Sequence, residues 1–230
     1  MDPLFLLQIA VGGLLAGVMY SLVAIGFVLI YKSSKIFNFA QGSMVLGAAL
    51  TFVSFIEMGA PFWLSLLITT LIMIGFGIAV ERFALRKLAN TSLLTLFMAT
   101  VGLAFFVEGL AQFVWGGQVH GLELGIEDMP LSVASGFTVS QFDLFAAAVA
   151  GGLVIVLAFF FTNTRTGLHL RAVADNVLAS LSVGIPITRM WMIAWATAGV
   201  IAIVAGLMWG ARLGVQYTLS VVALKALPVF

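Results

Sequence analysis

Uncharged apolar stretches of about 20 residues or more recur along the chain, separated by short segments that carry most of the charged residues. The stretches are 3–31, 36–56, 58–80, 88–107, 144–164 and 190–211. An α-helix rises 1.5 Å per residue, so about 20 residues cross the roughly 30 Å of hydrocarbon in a bilayer. Backbone polar groups in lipid must be satisfied internally, and these stretches do not alternate in polarity as barrel strands do. The pattern therefore predicts an all-α fold, a polytopic transmembrane helical bundle with at least six spanning helices.

The predicted helices form one transmembrane domain over 1–230. The spans are predicted at about 6–31, 37–57, 61–81, 91–115, 143–162 and 190–211. The last ten residues, 221–230, are apolar apart from Lys225 and are too short to span from Arg212. We expect the C-terminus to be truncated there; a re-entrant segment that dips into the membrane is the alternative.

Composition narrows the classes of function. The chain is 63% hydrophobic and only 8% charged, against roughly 25% charged in soluble domains, so the lipid bilayer is an expected partner. A net charge of +1 gives no reason to expect a nucleic-acid partner. Cysteine is absent and only His120 and His169 are histidines, so no metal site is expected. Without a P-loop, an H-E-x-x-H motif or a G-x-S-x-G motif, we expect no catalytic or cofactor-binding site and no enzyme.

The basic residues predict the orientation. With the N-terminus outside, the inner loops hold eight of the ten Lys and Arg residues. These eight are Lys32, Lys35, Arg82, Arg86, Lys87, Arg165, Arg171 and Arg189. The positive-inside rule therefore places these loops at the inner face of the membrane.

A few polar residues inside the apolar stretches, or directly after one, are candidates for a transport path. Asn38 and Gln41 lie three residues apart at the start of the second stretch, and Glu108 lies near the outer end of the fourth helix. Polar side chains in lipid are unfavourable unless they have partners or line a wet cavity. The two amides either hydrogen-bond neighbouring helices or line and gate a path. Glu108 either belongs to that path or reaches headgroups and water.

Small residues recur at every fourth position of the sixth predicted helix. They are Ala198, Ala202, Gly206, Gly210 and Gly214. Such a stripe lets another helix backbone approach closely. It is either ordinary packing inside the bundle or a moving or subunit-facing seam.

The long inner loop predicts a short helix over 168–183. It ends at Gly184, which accepts a C-terminal cap conformation, and at Pro186, which cannot continue a helix. Apolar residues recur along it at three- and four-residue steps: Leu170, Val173, Val177 and Leu181. By composition alone it is an interfacial amphipathic helix lying on the membrane.

Three segments carry motifs whose order and spacing are specific. Segment 31–42, YKSSKIFNFAQG, contains N-F-A-Q-G, ending at Gly42. Segment 85–115 contains F-M-A-T-V-G-L, and segment 164–184 reads TRTGLHLRAVADNVLASLSVG. Together they resemble the permeases of branched-chain amino acid ABC transporters, whose signatures are N-F-A-[HQ]-G, L-x-A-T-x-G-L and T-R-x-G-x-x-x-R-A-x-A-x-D. The resemblance covers nearly the whole chain.

The chain also departs from the family pattern. Gln41 stands where many members have His, which argues against proton involvement there. Asp175 precedes the usual position of the acid by one, and Asn176 occupies that position. Family members are some tens of residues longer, in line with the expected truncation.

The resemblance implies an import permease of the bacterial inner membrane, for branched-chain or related amino acids. Its implied partners are ATP-binding subunits that hydrolyse ATP, a second permease in a hetero- or homodimer, and a periplasmic substrate-binding protein. It also implies that the inner-loop helix couples to the ATPase. The path or gate candidates are Asn38, Gln41, Gly42 and Glu108. The coupling candidates are Arg165, Gly167, Arg171, Ala172, Ala174, Asp175 and Gly184.

Other functions are compatible with parts of the pattern. Permeases for urea, amides or aromatic and carboxylic compounds share the family signatures. A stand-alone channel or secondary transporter would need no ATPase, but such proteins often carry ionisable residues in mid-membrane, where this chain has almost none.

Overall fold

The structure, a computed structural model, describes residues 3–88, 91–126, 130–134 and 137–226. Its helices are α1 (Pro3–Ser34), α2 (Gln41–Glu57), α3 (Phe62–Ala79), α4 (Arg86–Leu88), α5 (Leu93–Trp115), α6 (Gln141–Asn163), α7 (Arg165–Asp175), α8 (Val177–Ser182), α9 (Ile187–Leu213) and α10 (Thr218–Ala226). A π-helical segment, Val80–Leu85, joins α3 to α4. Strands β1 (Pro130–Ala134) and β2 (Phe137–Ser140) form an antiparallel hairpin before α6.

Five helical segments of the described chain are long and apolar enough to cross a membrane. They are Phe5–Ser34, Phe62–Leu88, Leu94–Trp115, Gln141–Asn163 and Ile187–Leu213. The polytopic all-α bundle is therefore confirmed, with at least five spans. The predicted second span corresponds to α2, whose 17 residues extend about 25 Å. Whether α2 crosses as a sixth span stays a prediction.

The second helix begins later than predicted, at Gln41 instead of residue 37. Lys35 has a positive φ of 57°, which ends α1, and 36–40 form a non-helical connection. The side-chain oxygen of Asn38 accepts a hydrogen bond from the backbone N–H of Ala40 at 3.1 Å. Asn and Asp side chains favour such local turns over a helix, which explains the later start.

Helix α9 lies at the centre of the bundle and packs against α1, α2 and α3. In its most apolar 18-residue window 67% of residues are buried, against 11% for α6. A long apolar helix that is buried by its neighbours is a core element, while one that is mostly exposed faces lipid or another subunit. Helix α6 is therefore peripheral.

Side chains at the predicted outer end make two contacts that join different elements. Arg212, a base outside the predicted inner loops, pairs with Asp143 at the start of α6. His120 Nδ1 lies 2.9 Å from the Glu57 carboxylate, and the backbones of His120 and Val215 pair with each other. The outer loop is thus tied to the ends of α2 and α9.

The inner loop folds as two helices, where the sequence predicted one over 168–183. Helix α7 ends at Asp175 and α8 begins at Val177. Asn176 between them is extended, with φ −151° and ψ 106°, and its side-chain oxygen accepts a hydrogen bond from the Ala179 N–H at 3.0 Å. Asn is a strong N-cap residue, so it starts a new helix here instead of continuing the first.

Candidate functional site

The non-helical connection before α2 carries two buried amides. Asn38 and Gln41 are both fully buried, and Asn38 Nδ2 donates to Gln41 Oε1 at 3.2 Å. Gln41 Nε2 has no hydrogen-bond partner among the described residues. Leaving a buried donor unsatisfied costs about 1–3 kcal/mol, so this amide lowers the stability of the bundle where it stands. Gly42 follows directly and is buried in the first turn of α2.

Glycine in α1 makes room for this amide pair. A Cβ atom built on Gly26 would lie 2.1 Å from Gln41 Nε2. The Gln41 side chain therefore occupies the space directly against the α1 backbone, and any larger residue at position 26 would displace it.

Thr100 of α5 holds the connection from the other side. Its hydroxyl oxygen accepts from the Phe39 N–H at 3.1 Å and lies 3.1 Å from the Phe37 carbonyl oxygen. Thr100 is fully buried. Sequence reasoning used this residue only as part of a family motif, although a Thr inside an apolar stretch was a signal for such a bond.

Glu108 lies on α5 about 10 Å from its outer end, as judged from seven residues of helix rise. Its Oε1 accepts from the Ser43 hydroxyl at 3.2 Å, and its Oε2 accepts from the Tyr217 hydroxyl at 3.2 Å. The negative charge of Glu108, and next the hydrogen bond to it, raise the pKa of Tyr217. The carboxylate thus joins α2, α5 and the segment before α10.

A small cavity of about 150 Å³ opens beside this carboxylate. Its lining includes Phe39, Ser43, Phe105, Glu108, Tyr217 and Ser220. Pockets for drug-sized ligands typically measure roughly 300–1,000 Å³, so this cavity has the size of a partial site. Sequence reasoning missed Ser43 and Tyr217, which contact Glu108, and Ser220, which lines the same cavity, because these positions are far from Glu108 in the chain.

The small-residue stripe of α9 lies inside the bundle. Ala198, Ala202, Gly206 and Gly210 are all buried. A Cβ on Gly206 would lie 2.7 Å from the Val45 carbonyl oxygen of α2, so the two backbones are in close contact. Gly214 caps the end of α9 with a φ of 75°. The stripe therefore sits where bundle packing needs it, and a role as a moving seam stays a prediction.

Helix α7 is anchored on the bundle by part of the predicted apolar stripe. Leu170 and Val173 are buried against Met190, Trp191 and Ala194 of α9. Gly167 allows the close turn from α6 into α7, since a Cβ there would lie 2.3 Å from the Phe160 carbonyl oxygen.

The other coupling candidates lie along the surface of α7 and beyond it. Arg165, Arg171 and Asp175 are exposed, and Ala172 and Ala174 are half-buried. Gly184 is exposed after α8 with a φ of 79°, a left-handed conformation that glycine adopts without strain.

Helix α8 presents the rest of the predicted stripe to the exterior. Val177 and Leu181 of that stripe are exposed, and so are two further apolar residues, Leu178 at 76% and Val183, directly after α8, at 75%. Exposed apolar patches of this kind mark interaction surfaces. One side of the inner loop is therefore packed on the bundle, and the other side is an exposed apolar surface.

No group of three or more His, Asp or Glu residues within the described ranges is placed to hold a metal ion.

Comparison with known proteins gives a consistent set of relatives. Residues 9–228 match the family described as "Branched-chain amino acid transport system / permease component". The high-affinity branched-chain amino acid transport system permease protein BraD of Pseudomonas aeruginosa is 25% identical over 225 residues, covering 91% of this chain and 72% of the relative. The corresponding protein LivH of Escherichia coli K12 is 23% identical over 233 residues, covering 92% and 73%.

A third relative has a different named substrate. The fructose import permease protein FruF of Bifidobacterium longum is 26% identical over 189 residues, covering 82% of this chain and 51% of the relative. No solved structure matches the chain. Because the family match spans almost the whole sequence, the chain is a multi-pass membrane protein that belongs to the family of branched-chain amino acid transport system permease components.

Proposed function

We propose that this chain is the permease subunit of an ABC importer that carries branched-chain or related amino acids across the bacterial inner membrane. The observation that carries the proposal is the family match over 9–228, together with relatives named for this transport. The chain itself holds no cofactor in this proposal; partner subunits bind and hydrolyse ATP.

The inner loop is the proposed contact with those ATP-binding subunits. Its α7 half is fixed to the bundle through Leu170 and Val173, so a push on it is passed to α9. Its α8 half exposes Leu178, and Val183 directly after α8 is exposed as well; a protein groove would cover both. A segment that is packed on the bundle through α7 and exposes an apolar surface on α8 can transmit a movement of the ATP-binding subunits to the bundle.

The cavity at Glu108 is the proposed contribution to the translocation path. Its carboxylate complements the ammonium group of an amino acid, and Phe39 and Phe105 offer apolar surface to an aliphatic side chain. Asn38 and Gln41, which precede and follow Phe39 in the chain and bond to each other, are the proposed gate, with Gly42 next to them. A second permease, the same or related, would supply the facing half, and a periplasmic binding protein would deliver the substrate.

A sugar is the second candidate substrate, because one relative is named as a fructose import permease. Urea, short amides and aromatic or carboxylic compounds are further family alternatives. A channel or secondary transporter would differ from all of these by working without ATP.

Uptake of radiolabelled leucine tests the proposal directly. The assay uses cells that lack the permease, complemented with this chain or with an empty vector, in the presence of its own ATP-binding and binding-protein partners. We expect ATP-dependent leucine uptake that excess isoleucine and valine suppress and that urea, fructose and benzoate do not. Uptake that persists after ATP depletion, or suppression by fructose alone, would overturn the assignment.

A further inference from the structure

A groove between α1 and α6 ends at two cations. Its volume is about 360 Å³. The apolar part of its lining includes Ile25, Val28, Val154, Leu157 and Phe161. Lys32 of α1 and Arg171 of α7 line the same groove. The groove therefore has apolar walls along most of its length and positive charge at one end.

The groove has the depth and the opening of a lipid site. From Ile25 to Lys32 the α1 helix rises about 10 Å, and α6 rises the same distance from Val154 to Phe161. Helix α6 is the peripheral helix of the bundle, and Val154 is 48% exposed. The groove therefore opens sideways to the hydrocarbon and reaches the inner surface at Lys32.

The structure gives the two cations, Lys32 and Arg171, no ion-pair partner among the residues it describes, although Asp175 follows Arg171 by one helical turn. They belong to different helices, so one anion that contacts both would join α1 to α7. Basic pockets between transmembrane helices on the cytoplasmic side suit anionic lipid headgroups, and a phosphate takes several charge-assisted hydrogen bonds from such groups.

We propose that an anionic phospholipid of the cytoplasmic leaflet binds in this groove. Its headgroup phosphate contacts Lys32 and Arg171, and one acyl chain lies along the apolar walls. An apolar protein segment would fill the slot equally well but would leave both cations unneutralised, so the charge favours the lipid.

Fluorescence quenching by brominated lipids tests the proposal without altering the site. The chain has no cysteine, so single cysteines can carry a bimane label without background. Ala158→Cys reports from the groove, and Val156→Cys reports from the opposite exposed face of α6 at nearly the same depth. The protein is placed in bilayers of phosphatidylcholine and phosphatidylglycerol, with bromine on one lipid at a time and equal mole fractions.

We expect brominated phosphatidylglycerol to quench the label at 158 more strongly than brominated phosphatidylcholine, and both lipids to quench equally at 156. Lys32→Gln should lower the preference at 158 about fivefold, which corresponds to ~1 kcal/mol for one cation near an anionic lipid. Arg171→Gln is an independent second variant with the same expectation. Lys87→Gln, another exposed inner base outside the groove, should leave the preference unchanged.

Three results would overturn the proposal. Equal quenching by both lipids at 158 would show that the groove does not select anionic lipid. If brominated phosphatidylglycerol is still preferred at 158 in both Lys32→Gln and Arg171→Gln, these cations do not bind the headgroup. Loss of the preference on adding inorganic phosphate at constant ionic strength would identify soluble phosphate as the ligand.

Discussion

Replacing Gly77 of α3 with alanine is expected to force α3 and α9 apart. A Cβ at this position would lie 2.5 Å from the Trp195 carbonyl oxygen and 2.8 Å from the Ala196 backbone nitrogen. Both atoms are backbone, so neither can swing aside as a side chain would. The contact is reciprocal, because a Cβ on Gly199 of α9 would lie 2.6 Å from the Met73 carbonyl oxygen of α3.

The size of the effect follows from two opposing contributions. Overpacking of a closely packed contact costs typically about 1–3 kcal/mol. Alanine also favours the helix over glycine by up to ~1 kcal/mol. Gly75→Ala on the same helix is the matched control, because its Cβ would meet nothing within 4 Å. The helix-propensity gain is common to both variants and cancels, so we expect Gly77→Ala to be less stable than Gly75→Ala by the overpacking cost, roughly 1–3 kcal/mol.

Denaturation of the purified protein in detergent measures this difference. Tryptophan fluorescence is a suitable signal, since the fully buried Trp195 lies in the α3–α9 contact. Equal midpoints for Gly77→Ala and Gly75→Ala would refute the close approach of the two backbones.

Three further substitutions test the site. Glu108→Gln should lower amino-acid uptake at least about tenfold, because the charge-assisted hydrogen bond that it removes is worth more than ~1.4 kcal/mol. The control, Glu57→Gln at the outer surface, should leave uptake near wild type. Equal uptake by the two variants in the leucine assay would count against a path at Glu108. Gly26→Ala should displace Gln41 and slow transport without reducing the amount of protein in the membrane, as measured by uptake normalised to immunoblots. Leu178→Glu should leave the chain inserted but reduce co-purification with the ATP-binding subunit several-fold, and retained co-purification would argue against docking at α8.

Much of the fold could be predicted from hydrophobic length alone. The stretches that became α1, α3, α5, α6 and α9 lack charge over a membrane-spanning distance, and lipid leaves the backbone few alternatives to a helix. The ends were less predictable, because α2 starts at Gln41 through a local turn at Asn38 instead of at the first apolar residue.

The sequence contained a residue that indicates the split of the inner loop into two helices, but the apolar periodicity favoured a single helix. Asn176 is a favourable N-cap, yet the apolar spacing through Val173 and Val177 fitted one continuous helix. Hydrophobic periodicity does not reveal a single non-helical residue when apolar residues keep the same spacing on both sides of it. The structure shows that Leu170 and Val173 pack against α9, whereas Val177 and Leu181 are exposed.

The candidate site was only partly visible in the sequence. Glu108 was found because a carboxylate in an apolar stretch is unusual, but Tyr217 lies 109 positions further along the chain. Similarly, the repeated spacing revealed Gly206, whereas Gly77 stands outside any repeat and its contact with α9 is purely tertiary. Such contacts depend on how helices cross, which local pattern does not specify.

The central claim is that separate ATP-binding subunits dock on the inner side of this bundle. Photocrosslinking from position 178, in membranes that contain the assembled transporter, tests it most directly. A photoreactive phenylalanine analogue replaces Leu178, and the same analogue at Phe113, an 87% exposed residue near the outer end of α5, is the control. The account predicts an adduct with the ATP-binding subunit from 178 and none from 113. Absence of that adduct from 178, or the same adduct from 113, would contradict it.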